Sequence, residues 1–192
     1  MPRYGLYIDV FKCIGCYGCL TACKNWHGIP AGEQGRRRLV DVTEGDYPLI
    51  SRWIFPVSCM HCDEPLCTSV CPTEATFKRY DGIVVIDQEK CIGCGECVES
   101  CPYNARTMRA GIEKADGCDM CVDRLDQGLL PYCVTSCAGE AMAFGDLDDP
   151  GSRIVKLIEE SNAQQLAADY GRHPKIFYAN LHMQTNPEDV LA

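Results

Sequence analysis

Apolar and polar positions alternate across residues 4–10 (Tyr-Gly-Leu-Tyr-Ile-Asp-Val), a period of two that predicts a half-buried strand. Residues 76–79 and 83–87 are rich in β-branched and aromatic side chains and flank Tyr80-Asp81-Gly82. Asp-Gly between two such runs predicts a hairpin. Residues 141–146, Ala-Met-Ala-Phe-Gly-Asp, predict a strand able to pair with the first. Two strand-like pieces, 38–42 and 50–56, fall inside a stretch running from 24 to 58. Between 152 and 169 the apolar Ile154, Val155, Leu157, Ile158 and Leu166 recur at helical spacing, which predicts one amphipathic helix capped by Ser152. From Gly171 onward the chain reads as extended, and residues 19–25, 65–71, 96–101 and 132–137 read as short helical turns.

Such short elements leave a thin apolar supply, and the composition says what supplements it. Sixteen of the 192 residues are cysteine, several times ordinary usage, and the 46% hydrophobic share counts them. Packing alone is a weak account of this fold. Eighteen basic against 27 acidic residues give a net charge of −9, which argues against nucleic acid or an anionic membrane surface as the main partner. The run Arg36-Arg37-Arg38 does not outweigh that balance. The longest charge-free stretch, 127–139, is too short and too broken by Gly, Pro and Cys to cross a bilayer. The first residues hold neither an apolar signal core nor a twin-arginine pair, so the chain is expected to stay where it is made unless a partner carries it.

The cysteines fall into four groups of four. Cys13, Cys16, Cys19 and Cys23 are spaced C-x2-C-x2-C-x3-C, and Cys91, Cys94, Cys97 and Cys101 repeat that spacing with Pro102 after the last. The latter matches the bacterial ferredoxin run in full, whereas Lys24 stands where the former would have proline. Cys59, Cys62, Cys67 and Cys71, followed by Pro72, are spaced C-x2-C-x4-C-x3-C. Cys118, Cys121, Cys133 and Cys137 are spaced C-x2-C-x11-C-x3-C, with Ala138 after the last. None is left over.

Three closely spaced cysteines wrap backbone around one [4Fe-4S] cubane, and the fourth, on the following helical turn, points to a second cluster. Runs therefore work in pairs that exchange one ligand, and four runs imply four clusters. Internal repetition agrees. Residues 8–16 align with 86–94 at a constant offset of 78, with identity at Ile, Asp, Lys, Cys, Ile, Gly and Cys. The sequence Cys67-Thr68-Ser69-Val70-Cys71 echoes Cys133-Val134-Thr135-Ser136-Cys137, so the order is A, B, A, B, as two interlocked ferredoxin units would leave it. A secreted disulfide scaffold lacks its signal here, and runs with three cysteines in seven residues fit zinc poorly.

These groups, their x4 and x11 variations and the Tyr-Gly-Leu-Tyr-Ile-Asp entry strand resemble the iron-sulfur electron-transfer subunit of the dimethyl sulfoxide reductase family of molybdopterin oxidoreductases. Polysulfide, thiosulfate and dimethyl sulfoxide reductases and pyrogallol transhydroxylase have such subunits. The tail from Gly171 to Tyr178 resembles the family's Pro-basic-apolar-aromatic-Tyr ending.

The resemblance implies four ligand sets: Cys13, Cys16, Cys19 with Cys137; Cys118, Cys121, Cys133 with Cys23; Cys59, Cys62, Cys67 with Cys101; and Cys91, Cys94, Cys97 with Cys71. It implies an α+β fold of two interlocked ferredoxin-like units. The first comprises 1–23 and 118–149, the second 59–117, with an insertion at 24–58 and a C-terminal helix and tail at 150–192. It implies single-electron conduction through four [4Fe-4S] clusters in anaerobic respiration, with no catalytic residue in this chain. Substrate chemistry then lies on a large partner subunit holding a Mo or W bis-pterin, and a membrane anchor subunit or a soluble donor completes the path. The compartment is either cytoplasmic or periplasmic, the latter by co-export with a signal-bearing partner. A free-standing polyferredoxin is the competing reading, against which the insertion and tail argue, since a mobile carrier needs little beyond its cluster loops.

Each oxidised cluster on four thiolates adds about two negative charges. Lys12, Lys24, Lys90, Arg106, Arg109 and Lys114, near the ligands in sequence, are candidates to offset them, with solvated surface charge as the plain alternative. His61 lies inside a group that already has four cysteines, and His27, His173 and His182 carry no supporting motif. Trp26 and Trp53 are expected to pack in the core.

Overall fold

The computed structural model of the chain describes residues 1–181 and 190–191. The first strand, β1 (Tyr4–Asp9), runs into the first cysteine loop and α1 (Gly18–Trp26). The hairpin of β2 (Arg37–Glu44) and β3 (Ser51–Ser58) follows, where the alternation predicts two strands. Next come α2 (Leu66–Ser69), the Asp-Gly hairpin of β4 (Thr76–Lys78) and β5 (Val84–Ile86), and α3 (Glu96–Glu99). A further hairpin joins β6 (Arg106–Arg109) to β7 (Lys114–Gly117), ahead of α4 (Val122–Leu125) and α5 (Tyr132–Thr135). The chain ends its described part with β8 (Met142–Asp146), α6 (Arg153–Ser161), β9 (Gln164–Gln165) and β10 (Ile176–Ala179). The architecture is mixed α+β.

The main sheet has the order β8-β1-β10-β9. Strand β1 runs antiparallel to β8, with Ile8 opposite Met142, and parallel to β10, with Ile8 opposite Tyr178. Its alternation is used on both faces. Leu6 and Ile8 join Phe55, Val57, Met60, Ile83, Tyr103, Ile176 and Tyr178 in the larger core, while Tyr7 turns the other way, onto Ile154 of α6 with Ala143 and Ala179. Ile154 is fully buried, and burying such a side chain contributes about 1.5–3 kcal/mol.

Two expectations need correction. The helix read as 152–169 stops at Ser161, because Asn162 adopts φ 49°, a left-handed C-cap that asparagine tolerates. The chain then turns back, and Gln164–Gln165 pairs with β10. Ser152 occupies the N-cap position, yet its side chain makes no capping hydrogen bond. Within the tail from Gly171, residues 176–179 are extended as expected, and they form an inner strand of the main sheet; residues 182–189 and 192, with His182, lie outside the described residues. Among the described residues no helix is long and apolar enough to cross a membrane.

Candidate metal centres

Each C-x2-C pair closes on a residue with left-handed backbone at its third position: Gly15 (φ 64°), His61 (46°), Gly93 (72°) and Met120 (55°). Glycine takes this conformation without steric cost, whereas histidine and methionine do so here under the constraint of the loop. The turn aims backbone at sulfur. His61 N–H donates to Cys59 Sγ and Met120 N–H to Cys118 Sγ, each at 3.5 Å.

The third cysteine then enters a helical turn. Cys19, Cys67, Cys97 and Cys133 lie at the second position of α1, α2, α3 and α5, and all four are buried. The A runs enter through left-handed Tyr17 and Gly95, the B runs through Pro65 and Pro131. After the last cysteine of three runs a further left-handed residue, Glu74, Asn104 or Glu140, turns the chain back. In two of them an N–H then reaches the sulfur: Thr76 to Cys71 Sγ at 3.5 Å and Ala141 to Cys137 Sγ at 3.3 Å.

The thiols converge in fours. One cavity is lined by Cys13, Cys16, Cys19 and Cys137, with Leu39 and Met142. A second is lined by Cys59, Cys62, Cys67 and Cys101, and a third by Cys71, Cys91, Cys94 and Cys97. Cys23, inside α1, has Cys118, Cys133 and Cys121 as its thiol neighbours. None of the sixteen is joined in a disulfide; Cys16 and Cys94 are exposed, the others buried or half-buried.

Burial makes five of the more enclosed thiols, Cys23, Cys59, Cys62, Cys118 and Cys121, hard to ionise. It pushes Cys62 and Cys121 up to about 12 and Cys118 to about 11, and it raises Cys23 and Cys59 as well. Four thiolates brought together in one partly buried cavity therefore require bound cations. Donors without acceptors point the same way: Arg37 Nη1, His61 Nε2 and the Tyr103 hydroxyl are buried with no hydrogen-bond partner. Sulfur atoms of a [4Fe-4S] cluster accept such donors. The donor set thus fits the cluster in ligand chemistry, in number and in the polar groups around it.

His61 is fixed in one tautomer. Its Nδ1 accepts the Val84 N–H at 3.1 Å, which leaves the proton on Nε2. Burial and the cations Lys175, Arg106 and Arg37 lower its pKa to about 3, with Asp119 opposing, so the ring is neutral. His27 proves informative despite lacking a motif: its Nε2 lies 3.5 Å from Cys121 Sγ, and Arg36 Nη1 lies 3.0 Å from its Nδ1. His27, Asp119 and Cys121 lie close enough to hold an ion, but Arg36 already pairs with Asp119 at 2.7 Å and with Asp116 at 2.9 Å.

The candidate charge-offsetting residues divide. Lys24 Nζ donates to the Glu33 carbonyl, Lys114 Nζ to the Gln88 carbonyl, and Lys90 pairs with Asp87. Arg109 pairs with Glu33 and Asp116. Arg106 alone of this set is buried, and it lines the cavity of Cys59, Cys62, Cys67 and Cys101. Arg37, which nothing local in the sequence marks, is equally buried. Arg38 donates to the carbonyls of Asn104 and Leu191, so the whole arginine run is committed inside the protein. Trp53 packs on the core, but Trp26 is partly exposed, donating to Asp123 at 2.8 Å under Arg124.

Residues 50–147 match the 4Fe-4S dicluster domain, and residues 11–26 match a 4Fe-4S binding domain. Fold and thiol quartets together define a ferredoxin-type [4Fe-4S] protein. The chain is 40% identical to a subunit of the tetrathionate reductase of Salmonella typhimurium, over 93% of its own length and 73% of the relative. It is 38% identical to the putative iron-sulfur subunit of a dimethyl sulfoxide reductase in Halobacterium salinarum, over 95% and 81%. With the arsenate respiratory reductase iron-sulfur subunit of Shewanella sp. the figures are 33%, 92% and 95%. The chain belongs to the family of iron-sulfur electron-transfer subunits of molybdopterin oxidoreductases.

Proposed function

We infer that this chain conducts single electrons between a redox donor and a Mo- or W-pterin catalytic subunit, through four [4Fe-4S] clusters bound by its sixteen cysteines. Each cluster supplies one reversible one-electron site. The observation that carries this reading is the convergence of Cys13, Cys16 and Cys19 on Cys137 across the length of the chain. The nested ligand sets follow: the outer groups, first and fourth, share one unit (1–23 and 118–149), and the middle groups share the other (59–117). Insertion 24–58 and residues 150–181 of the C-terminal segment brace them.

The protein's own residues do the rest. Backbone N–H groups of His61, Thr76, Met120 and Ala141 stabilise thiolate charge. Seven of the sixteen thiols are buried and seven half-buried, which limits the access of water. Exposure returns at two places, Cys16 with Phe11, Ile14 and Tyr17 close in sequence, and Cys94 beside Ile92. Apolar exposure next to a terminal cluster suits protein partners, one giving electrons and one taking them. The relatives' names, tetrathionate, dimethyl sulfoxide and arsenate reductases, support a sulfur or arsenic oxo compound as the partner's substrate. A membrane anchor subunit or a soluble carrier would serve as the other partner.

Anaerobic purification of the native protein tests this. Expected are close to sixteen iron atoms and sixteen sulfides per chain and a co-purifying large subunit with Mo or W. A monomer without that subunit would sink the partner claim, and an iron count far below sixteen would sink the four-cluster claim.

A further inference from the structure

Two arginines are buried against thiols, and among the described residues neither forms an ion pair with a carboxylate. Arg106 and Arg37 are each 3% exposed, and a guanidinium so removed from water needs a negative partner.

For Arg106 the partner is a pair of cavities. Its side chain lines the cavity of Cys59, Cys62, Cys67 and Cys101. Its Nη1 donates to Thr76 Oγ1 at 3.0 Å. Thr76 lines the neighbouring cavity, that of Cys71, Cys91, Cys94 and Cys97, where its N–H donates to Cys71 Sγ at 3.5 Å. One guanidinium therefore reaches both quartets of the middle pair.

Arg37 holds the corresponding place for the outer pair. It opens β2 opposite Ser58. Strand alternation puts its side chain on the same face as Leu39, which lines the cavity of Cys13, Cys16, Cys19 and Cys137. Its Nη1 has no hydrogen-bond partner. The groups that favour its charge are, first, the thiols Cys133, Cys19 and Cys118, drawn from both outer quartets. The two arginines come from unrelated elements, an insertion hairpin and β6, yet each is associated with thiols of two quartets.

We propose that Arg37 and Arg106 set cluster potentials pairwise, Arg37 for both clusters of the outer pair and Arg106 for both clusters of the middle pair. A fixed positive charge favours the cluster that has gained an electron, so it raises the potential of each cluster it faces. Both are positioning residues: they hold charge and ligate nothing. This rests on the four-cluster reading above.

The test is a dithionite titration of the native complex followed by electron paramagnetic resonance, with iron determined on every sample. Arg106→Gln should lower the equilibrium constant for one-electron reduction of both middle clusters about tenfold, a shift of about 59 mV to more negative potential. Arg37→Gln should do the same to the outer pair. The opposite pair should move less than half as far, and Arg→Lys at either site should restore at least half of the shift. Fully loaded Gln variants with four unmoved potentials, or with all four moved alike, overturn the proposal. If the Gln variants do not load, Arg106→Met and Arg37→Met, which remove the charge and keep the side-chain bulk, decide: a downward shift confined to the matching pair supports it, and no shift or a uniform one overturns it. Wild-type iron well below sixteen instead counts against the four-cluster reading.

Discussion

Tyr178 donates its buried hydroxyl to the carbonyl of Pro56 at 3.0 Å, although 122 residues separate them. The bond ties β10, an inner strand of the main sheet, to β3 of the insertion hairpin. Pro56 lies opposite Leu39, and Leu39 lines the cavity of the first quartet. The tail and the insertion thus brace one wall of a thiol cavity together.

Removing that hydroxyl leaves the Pro56 carbonyl buried without its donor, so Tyr178→Phe should cost about 1–3 kcal/mol. The pH dependence has a defined sign. Burial, with Arg37 and Arg38 opposing, raises the Tyr178 pKa. A phenol raised in the folded state contributes stability that is present below its unfolded value of about 10 and is lost as pH rises beyond it. Urea unfolding of the anaerobic protein, followed by loss of cluster absorbance, should show the wild type losing more than Tyr178→Phe between about pH 9.5 and 11. An identical alkaline loss in both would contradict the assignment.

Gly93 and Gly15 occupy equivalent turns but differ in what a side chain would meet. A Cβ at Gly93 would lie 2.1 Å from the Glu113 carbonyl oxygen, which is backbone; at Gly15 it would lie 2.2 Å from Ile54 Cδ1, the free end of a flexible side chain. Both substitutions incur about 1–2 kcal/mol of left-handed strain. Gly93→Ala should therefore destabilise by about 3 kcal/mol or more and lower iron content, while Gly15→Ala should stay near the strain cost alone. Unfolding midpoints and iron assays on the two variants compare them directly, and the reverse order would refute this account.

How much of this could be read in the sequence follows from the range of each interaction. The cysteine runs, the β1 and β8 alternation and the Asp-Gly turn are local patterns, and they appear as predicted. The helix end at Asn162 depends on one left-handed residue that helical periodicity does not register. Strand β10 forms because Ile176 and Tyr178 find β1, a contact spanning the chain. The hairpin of β6 and β7, Arg-Thr-Met-Arg against Lys-Ala-Asp-Gly, is too short and too polar to announce itself. At the site, Arg37 sits in a basic run that reads as surface charge, and only the fold turns it inward.

Arg36 binds Asp116 of β7 and Asp119 inside the fourth group, between Cys118 and Cys121, and so joins the insertion to both. Its side chain is 13% exposed, and that of Asp116 only 4%. Taking away this cation leaves Asp116 with only the longer Arg109 contact, at 3.6 Å, and Asp119 without its guanidinium, so Arg36→Met should cost about 3 kcal/mol, the low end for breaking a buried pair. Arg36→Met with Asp116→Asn should recover part of this, because the buried charge leaves with its partner. Strict additivity of the two substitutions in urea unfolding would show that the pair is not coupled.

The exchange of ligands between groups gives the most direct prediction. Cys137 is close in sequence to Cys133, yet it lines the cavity of Cys13, Cys16 and Cys19 and accepts the Ala141 N–H there at 3.3 Å. Cys133 instead neighbours Cys23 and Cys118. Cys137→Ser replaces a soft thiolate by a harder, shorter oxygen ligand, which holds iron less well. The paramagnetic signal of the cluster on the N-terminal run should change, with loss of roughly one to four iron atoms per chain. Cys23→Ser should reverse the pattern and alter the cluster on Cys118, Cys121 and Cys133. Spectra in which Cys137→Ser disturbs only the Cys118 cluster would mean that each run keeps its own fourth ligand, and the interlocked arrangement would fall.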